Sequence, residues 1–281
     1  MHIFKQVADI QQFLNEAAQK NVAIGFVPTM GALHQGHLSL VETSKRDNAI
    51  TVVSIFVNPT QFNDPKDLEK YPRTVPDDLK KLINEGVEVA FLPAPEGIYP
   101  SGKPDPIPYD FGSMVTHMEG AHRPGHFDGV IQVVKRLLEI VQPTNLYMGQ
   151  KDYQQQAICG QLIEFMGIPT QLHTCPIIRE PDGLAMSSRN VHLNDMDRQR
   201  AIQISKTLFQ AQVEAQTLDL ETVRQNAIGR LDHPWFSVDY LEFVDAKSLE
   251  PVADFNTSKS VVLCTTVRIG GIRLLDNVIL F

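Results

Sequence analysis

Val22-Ala23-Ile24-Gly25-Phe26-Val27-Pro28-Thr29-Met30-Gly31-Ala32-Leu33-His34-Gln35-Gly36-His37 runs from an apolar stretch into a glycine-punctuated turn that carries two imidazoles. The apolar run 22–27 is what a strand looks like when helices cover both faces of a parallel sheet. Residues 36–45 follow with Leu38 and Val41 at helical spacing and no breaker, so the stretch predicts a strand, a turn and a helix start. Gly31 and Gly36 let the main chain approach a ligand closely, and the free N–H groups of a helix start favour anions. His34 and His37, three apart, lie side by side on one helical turn. Together these features read as a phosphate site. The alternative, His-x-x-His as half of a zinc site, needs further ligands, and Cys159, Cys175 and Cys264 show no Cys-x-x-Cys spacing.

Outward from this stretch, helices and strands alternate through the first two-thirds of the chain. Ile10, Phe13, Leu14 and Ala17 mark an amphipathic helix before the first strand. Further strands are predicted at 50–57, at 87–92 after a helix carrying Leu79, Leu82 and Ile83, and at 145–148 after a helix carrying Val130, Val133, Val134, Leu137, Leu138 and Val141. Ala157, Ile158, Leu162 and Phe165 mark the next helix. This βαβ rhythm predicts an α/β fold with a doubly wound, Rossmann-like parallel sheet over residues 1–176. After about residue 176 the pattern changes. Asn194 and Asp219 stand where they would cap two helices, the first bearing Ala201, Ile204, Leu208 and Phe209 and the second Val223, Ala227 and Leu231. Strands at 238–244, 260–269 and 272–280 follow, the last two joined at Gly270-Gly271, a hairpin signal. A smaller C-terminal α+β domain over 177–281 is expected to act as a lid, with a hinge at 176–183. Trp235 and the methionines read as core.

The chain has 281 residues, 43% of them hydrophobic, which suffices for a substantial core and two domains. Its net charge of -8 supplies no general field to draw nucleic acid or an anionic membrane onto the surface, so an anionic ligand must be held by local groups. Met1-His2-Ile3-Phe4-Lys5 lacks the basic-then-apolar pattern of a signal peptide, and no apolar run approaches membrane-spanning length. With three cysteines that look unpaired, a cytoplasmic location is expected.

In a doubly wound sheet, ligands sit beyond the carboxyl ends of the strands, and those loops are the polar ones here. Asn58-Pro59-Thr60-Gln61-Phe62-Asn63 offers neutral donors and acceptors at a strand end, and reads equally as a decorated proline turn. Residues 93–108 hold six prolines and two glycines and read as a stiff surface excursion. Arg123-Pro124-Gly125-His126 precedes a helix and suits ligand contact. Lys151, in Gly149-Gln150-Lys151-Asp152, is a compact cation at a helix start, the kind that meets phosphate. Asp152 with Gln155 reads as a capping box in isolation. Met186-Ser187-Ser188-Arg189 supplies hydroxyls and a guanidinium after the turn Pro181-Asp182-Gly183, a loop able to close over phosphates.

Residues 28–40, Asn58-Pro59-Thr60-Gln61-Phe62, Tyr71-Pro72-Arg73, Arg123-Pro124-Gly125-His126-Phe127, Gly149-Gln150-Lys151-Asp152 with Gln154-Gln155, and Met186-Ser187-Ser188-Arg189 resemble, in order along nearly the whole chain, the pantothenate synthetase family. His34-Gln35-Gly36-His37 is similar to the His-x-Gly-His signature of the nucleotidylyltransferase superfamily. Residues 186–189 resemble its Lys-Met-Ser-Lys-Ser loop with the lysines absent or replaced, a departure typical of this family.

The resemblance implies condensation of (R)-pantoate with β-alanine, driven by cleavage of ATP to AMP and pyrophosphate through a bound pantoyl adenylate. It implies His34, His37 and Lys151 as catalytic groups, with His37 best placed to help the leaving group. It implies ATP contacts from Met30, Gly31, His34, Gly36, His37, Gly149, Lys151, Asp152, Ile178, Met186, Ser187, Ser188 and Arg189, with Gly149 and Asp152 at the ribose. For pantoate and β-alanine it implies Gln61, Gln155 and Asn58. Magnesium is expected to ride on ATP, with no dedicated protein cage and no organic cofactor. The adenylate needs shielding from water, and residues 61–71 are a suitable mobile cover. A homodimer formed through the first domain is implied as well. Three rival readings are a sister nucleotidylyltransferase, which needs more basic residues for a phosphorylated acceptor, a class I aminoacyl-tRNA synthetase relative, which needs an RNA-binding domain, and a nucleotide-sensing module without turnover.

Overall fold

Six strands form a wholly parallel sheet: β1 (His2–Phe4), β2 (Ile24–Thr29), β3 (Ile50–Ile55), β4 (Val89–Phe91), β5 (Asn145–Gly149) and β6 (Gln171–Cys175), in the order β1-β4-β3-β2-β5-β6. The structure, a computed structural model, describes residues 1–63, 65–102 and 107–281. Asp64, in the expected cover, and residues 103–106, in the proline-rich excursion, lie outside the described residues. Helices between the strands are α1 (Val7–Ala18), α2 (Gln35–Asp47), α3 (Pro65–Lys70), α4 (Val75–Asn84), α5 (Pro95–Ile98), α6 (Glu119–His122), α7 (His126–Val141) and α8 (Tyr153–Met166). The chain separates into two compact units, the first comprising 1–111, 123–149 and 158–176, the second 112–122, 150–157 and 177–281.

In the first unit, β2 pairs with β3 from Ile24 opposite Ile50 to Thr29 opposite Ile55, and with β5 on its other side. The strand order reverses between β2 and β5, and at such a reversal a crevice opens outside the carboxyl ends of the strands. Beneath α2 and α4, Val27, Leu40, Val41, Val53, Leu82 and Tyr147 form one buried cluster, so the helix that starts at the histidines is seated by its apolar face. β1 and β6 carry no signal comparable to the central strands. β1 is three residues long, and β6 (Gln-Leu-His-Thr-Cys) is an edge strand with Gln171 and Thr174 exposed, so neither makes the apolar run that betrays a strand covered on both faces.

The second unit is built on an antiparallel sheet of β7 (Ser237–Asp245), β8 (Val261–Ile269) and β9 (Ile272–Ile279), with α9 (Asp195–Glu214) and α10 (Leu220–Leu231). Asn194 accepts the Asp197 N–H at 2.9 Å and Asp219 the Thr222 N–H at 2.9 Å, as helix N-caps do. Ala201, Ile204, Leu208, Val223, Phe243 and Leu263 anchor its core. Two segments distant in sequence belong to this unit. Gln154 accepts the Glu119 N–H at 3.0 Å and donates to the carbonyls of Met114 and His117. The Glu119 carboxylate in turn takes Arg273 bidentately at 2.8 Å, with Thr266 donating to it. A boundary read only from the change of pattern at 176 does not separate 112–122 and 150–157 from the first unit.

Trp235 is not core. It is 37% exposed, its ring stacked on His233 at 4.6 Å with the Arg200 guanidinium 4.5 Å above it, an arrangement that leaves one edge in water. Phe209, similarly, lies under the Arg179 guanidinium at 4.8 Å and is exposed, as is Met196. All three cysteines are free and buried.

Candidate active site

The loop from β2 into α2 is held from behind. Gly31 (φ 83°) and Ala32 (φ 51°) are both left-handed, a backbone that glycine takes freely and alanine only under constraint. The constraint comes from Asp78 on α4, fully buried, whose carboxylate accepts the N–H of Ala32 at 3.0 Å and of Leu33 at 2.8 Å, and the Thr74 hydroxyl at 3.2 Å. Lys81 Nζ donates to the Leu33 carbonyl at 2.6 Å. Thr29 at the end of β2 donates to Ser54 O at 2.7 Å and accepts the Gly31 N–H at 3.2 Å.

His34 caps α2. Its Nδ1 accepts the Gly36 N–H at 3.1 Å, while His37 Nδ1 accepts the His34 N–H at 3.3 Å, and the two rings lie 4.1 Å apart between centroids. A backbone N–H can only donate, so in the neutral rings both Nδ1 atoms accept and both hydrogens sit on Nε2. The loop therefore provides two Nε2–H donors and the amide groups of a helix start, a set suited to phosphoryl oxygens.

After β3, the turn 59–61 carries the amides. Asn58, buried, donates through Nδ2 to Gly129 O at 3.0 Å and to Gln61 Oε1 at 3.2 Å, and accepts the Tyr99 hydroxyl at 3.0 Å. Because the Gly129 carbonyl can only accept, the Asn58 amide has one orientation, which turns the Gln61 amide so that its Nε2 faces away from Asn58, 3.1 Å from Met30 Sδ. Burial pushes the Tyr99 hydroxyl above its ordinary range. Arg123 lies 3.2 Å from His126 Nε2, and His126 Nδ1 lies 2.8 Å from Gln61 O. A guanidinium can only donate, so Nε2 accepts and Nδ1–H donates to the main chain of Gln61. A Cβ at Gly129 would come within 2.5 Å of Thr60 O, so only glycine lets α7 approach this turn. Met30, Gly31, His34, Gly36, His37, Asn58 and Gln61 are thus joined in the first unit.

The remaining sequence-predicted residues belong, apart from Gly149 at the end of β5, to the second unit. Lys151 and the exposed Asp152 lie on the turn Gln150–Asp152, and Gln155 is half-exposed in the first turn of α8. Ile178 accepts the Met186 N–H at 3.0 Å. Ser187 caps the turn Ser188–His192 by accepting the Arg189 N–H at 3.2 Å. Asp276 of β9 holds Arg179 at 2.7 and 2.8 Å, and burial raises its carboxyl despite that guanidinium. Among the described residues no group of three or more His, Cys, Asp or Glu side chains could hold a metal ion, and no helix is long and apolar enough to cross a membrane.

Sequence reasoning missed Asp78, Tyr99, Asp276 and Asn277, and gave Gln154 no role of its own. Asp77-Asp78 looks like the ordinary acidic first turn of a helix, and only burial distinguishes Asp78. Asp276-Asn277 did leave a signal, a polar pair directly after the apolar Leu274-Leu275 and before Val278-Ile279 in β9.

The family profile described as pantoate-β-alanine ligase matches residues 2–279. The pantothenate synthetase of Azobacteroides pseudotrichonymphae is 44% identical over 280 residues, covering 99% of each chain, and that of Thermosipho africanus is 41% identical over the full length of both. Among solved structures, pantothenate synthetase from Thermus thermophilus superposes with a TM-score of 0.92 at 37% identity, covering 99% of each chain. Pantoate-β-alanine ligase from Francisella tularensis, solved in complex with β-γ ATP and β-alanine, gives 0.81 at 36% identity, covering 99% of this chain and 97% of its own.

Proposed function

We propose that this chain, which belongs to the pantoate-β-alanine ligase family, condenses (R)-pantoate with β-alanine at the expense of ATP, by way of a pantoyl adenylate. The ATP and β-alanine bound to the Francisella relative support the nucleotide and the amine. In the first step a pantoate carboxylate oxygen attacks the α-phosphorus in line, and the bond to the bridging oxygen breaks as pyrophosphate leaves. In the second, the β-alanine amine attacks the acyl carbon, AMP departs, and the amine loses a proton. No enzyme nucleophile is needed, so the protein's part is to position the reactants and neutralise charge.

The observation that carries this reading is the reciprocal capping of His34 and His37, which fixes both Nε2–H groups as donors. They serve the triphosphate, with His37 assisting the departing pyrophosphate, a contribution of about 10² to 10⁴ in rate. Lys151, Ser187, Ser188 and Arg189 supply further phosphate contacts, Met30, Gly31, Gly36, Ile178 and Met186 line the nucleotide, and Gly149 and Asp152 meet the ribose. Gln61, Gln155 and Asn58 hold pantoate, with the Gln61 Nε2–H that does not donate to Met30 Sδ turned toward an oxygen of the acid. Magnesium enters on ATP as part of the substrate. The protein works as a cytoplasmic homodimer, which light scattering on the purified chain tests.

Pantoate-dependent exchange between ATP and labelled pyrophosphate tests the whole reading. Exchange that requires pantoate is expected, and nucleotide binding without exchange would replace the enzyme by a sensor.

A further inference from the structure

Two successive residues of β9 hold two segments distant in sequence, Asn277 by main-chain carbonyls and Asp276 by a guanidinium. Asn277 is 2% exposed, and its side chain is committed to the turn Gln150–Asp152: Nδ2 donates to Gln150 O and to Lys151 O, each at 2.9 Å, and Oδ1 accepts from Gln150 Nε2 at 3.0 Å. Carbonyl oxygens only accept, so this orientation is unique and both Nδ2 hydrogens are used. The Asn277 N–H donates to Asp276 Oδ1 at 2.8 Å, and the Asp276 carboxylate grips Arg179. Arg179 donates to Gly183 O at 3.1 Å and pairs across the turn with Ala185, immediately before Met186-Ser187-Ser188-Arg189.

We infer that Asn277 is a positioning residue for Lys151, fixing through two main-chain carbonyls the point from which the ammonium reaches phosphate, and that Asp276 with Arg179 fixes residues 186–189 on the same base. The inference rests on the phosphate role proposed for Lys151. A lysine on a free turn spends its charge over many positions, whereas one whose own carbonyl is bonded to a buried amide is confined before the nucleotide arrives. The connection spans 126 residues of sequence, and both ends belong to the second unit. A strand asparagine thereby acquires a part in nucleotide binding without touching the nucleotide.

A double-mutant cycle tests it, since residues that act through one another lose their effects non-additively. The dissociation constant of magnesium-ATP is measured by calorimetry on the full chain for wild type, Lys151→Ala, Asn277→Ala and the double variant. Each single change is expected to weaken binding at least fivefold, and the double variant to bind within twofold of the weaker single. Asn277→Asp, the same size but unable to donate to the two carbonyls, is expected to weaken binding at least as much as Asn277→Ala. If Asn277→Ala does not yield folded protein, Asn277→Ser, which keeps one donor, carries the same cycle under the same rule. Losses that multiply in the double variant, or wild-type binding by Asn277→Ala, would overturn the inference while leaving the role of Lys151 standing. Wild-type binding by Lys151→Ala removes that role and the inference with it.

Discussion

Asp78→Asn tests how the loop ahead of the two histidines is kept in place. The carboxylate, fully buried, accepts two main-chain N–H groups and one hydroxyl. An amide of the same shape retains one acceptor oxygen and turns an NH2 group on the other donor, so one bond to a charged acceptor is lost and a buried N–H is left unmatched. Hydrogen bonds to charged groups contribute about 1.5–3 kcal/mol, and an orphaned buried donor costs about 1–3 kcal/mol. These overlap, and a net local destabilisation of about 2–4 kcal/mol follows. The loop also loses the restraint that keeps Ala32 left-handed, a conformation costing about 1–3 kcal/mol. Hydrogen–deuterium exchange of a peptide spanning 30–38 reads this directly. At about 1.4 kcal/mol per tenfold, protection falls by roughly thirtyfold to a thousandfold, while peptides from β7, β8 and β9 are unchanged. Pyrophosphate exchange drops with it, because His34 follows Leu33 without a spacer. Protection within threefold of wild type would refute the view that Asp78 holds this loop.

His37→Ala is expected to cut pantoate-dependent pyrophosphate exchange by about 10² to 10⁴, the range for a lost proton donor, with circular dichroism unchanged. Wild-type exchange would remove His37 from the mechanism. Gln61→Ala leaves oxygens of the acid unmatched, so the KM for pantoate is expected to rise by about 1–3 kcal/mol in free-energy terms, with the KM for ATP unmoved. Gly129→Ala forces a methyl against Thr60 O, so α7 and the turn 59–61 separate, with a stability loss of about 1–3 kcal/mol in urea melts and a raised pantoate KM. A melt and a KM indistinguishable from wild type would contradict that contact. Burial pushes the Cys159 thiol up to about 12 and raises those of Cys175 and Cys264, so an aromatic disulfide reagent at pH 8 is expected to find no reactive thiol until the protein is denatured.

The central strands were legible because 22–27 and 50–57 are apolar on both faces, and the hairpin because Gly270-Gly271 joins two β-branched runs. The edge strands were not, since His2–Phe4 is too short for a period and Gln171–Cys175 is half wetted. For the candidate site, the residues that would touch ligands announced themselves as polar groups at strand ends. Those that hold them did so faintly, as the polar pair Asp276-Asn277 does, or not at all. Asp78 looks like a helix-start acid, Tyr99 like one aromatic in a proline-rich loop, and Asn277 like a strand residue, and each acquires its part from a partner tens of residues away. Trp235 was misread because an aromatic residue between apolar segments looks the same in sequence whether it enters the core or stacks at its rim.

The orientation of the imidazoles is the point on which the rest depends. A crystal structure with magnesium and a non-hydrolysable ATP analogue measures it. His34 Nε2 and His37 Nε2 are expected within about 3 Å of phosphoryl oxygens, with both Nδ1 atoms still accepting the N–H groups of Gly36 and His34. A nucleotide lodged elsewhere, or rings turned to present Nδ1, would contradict it.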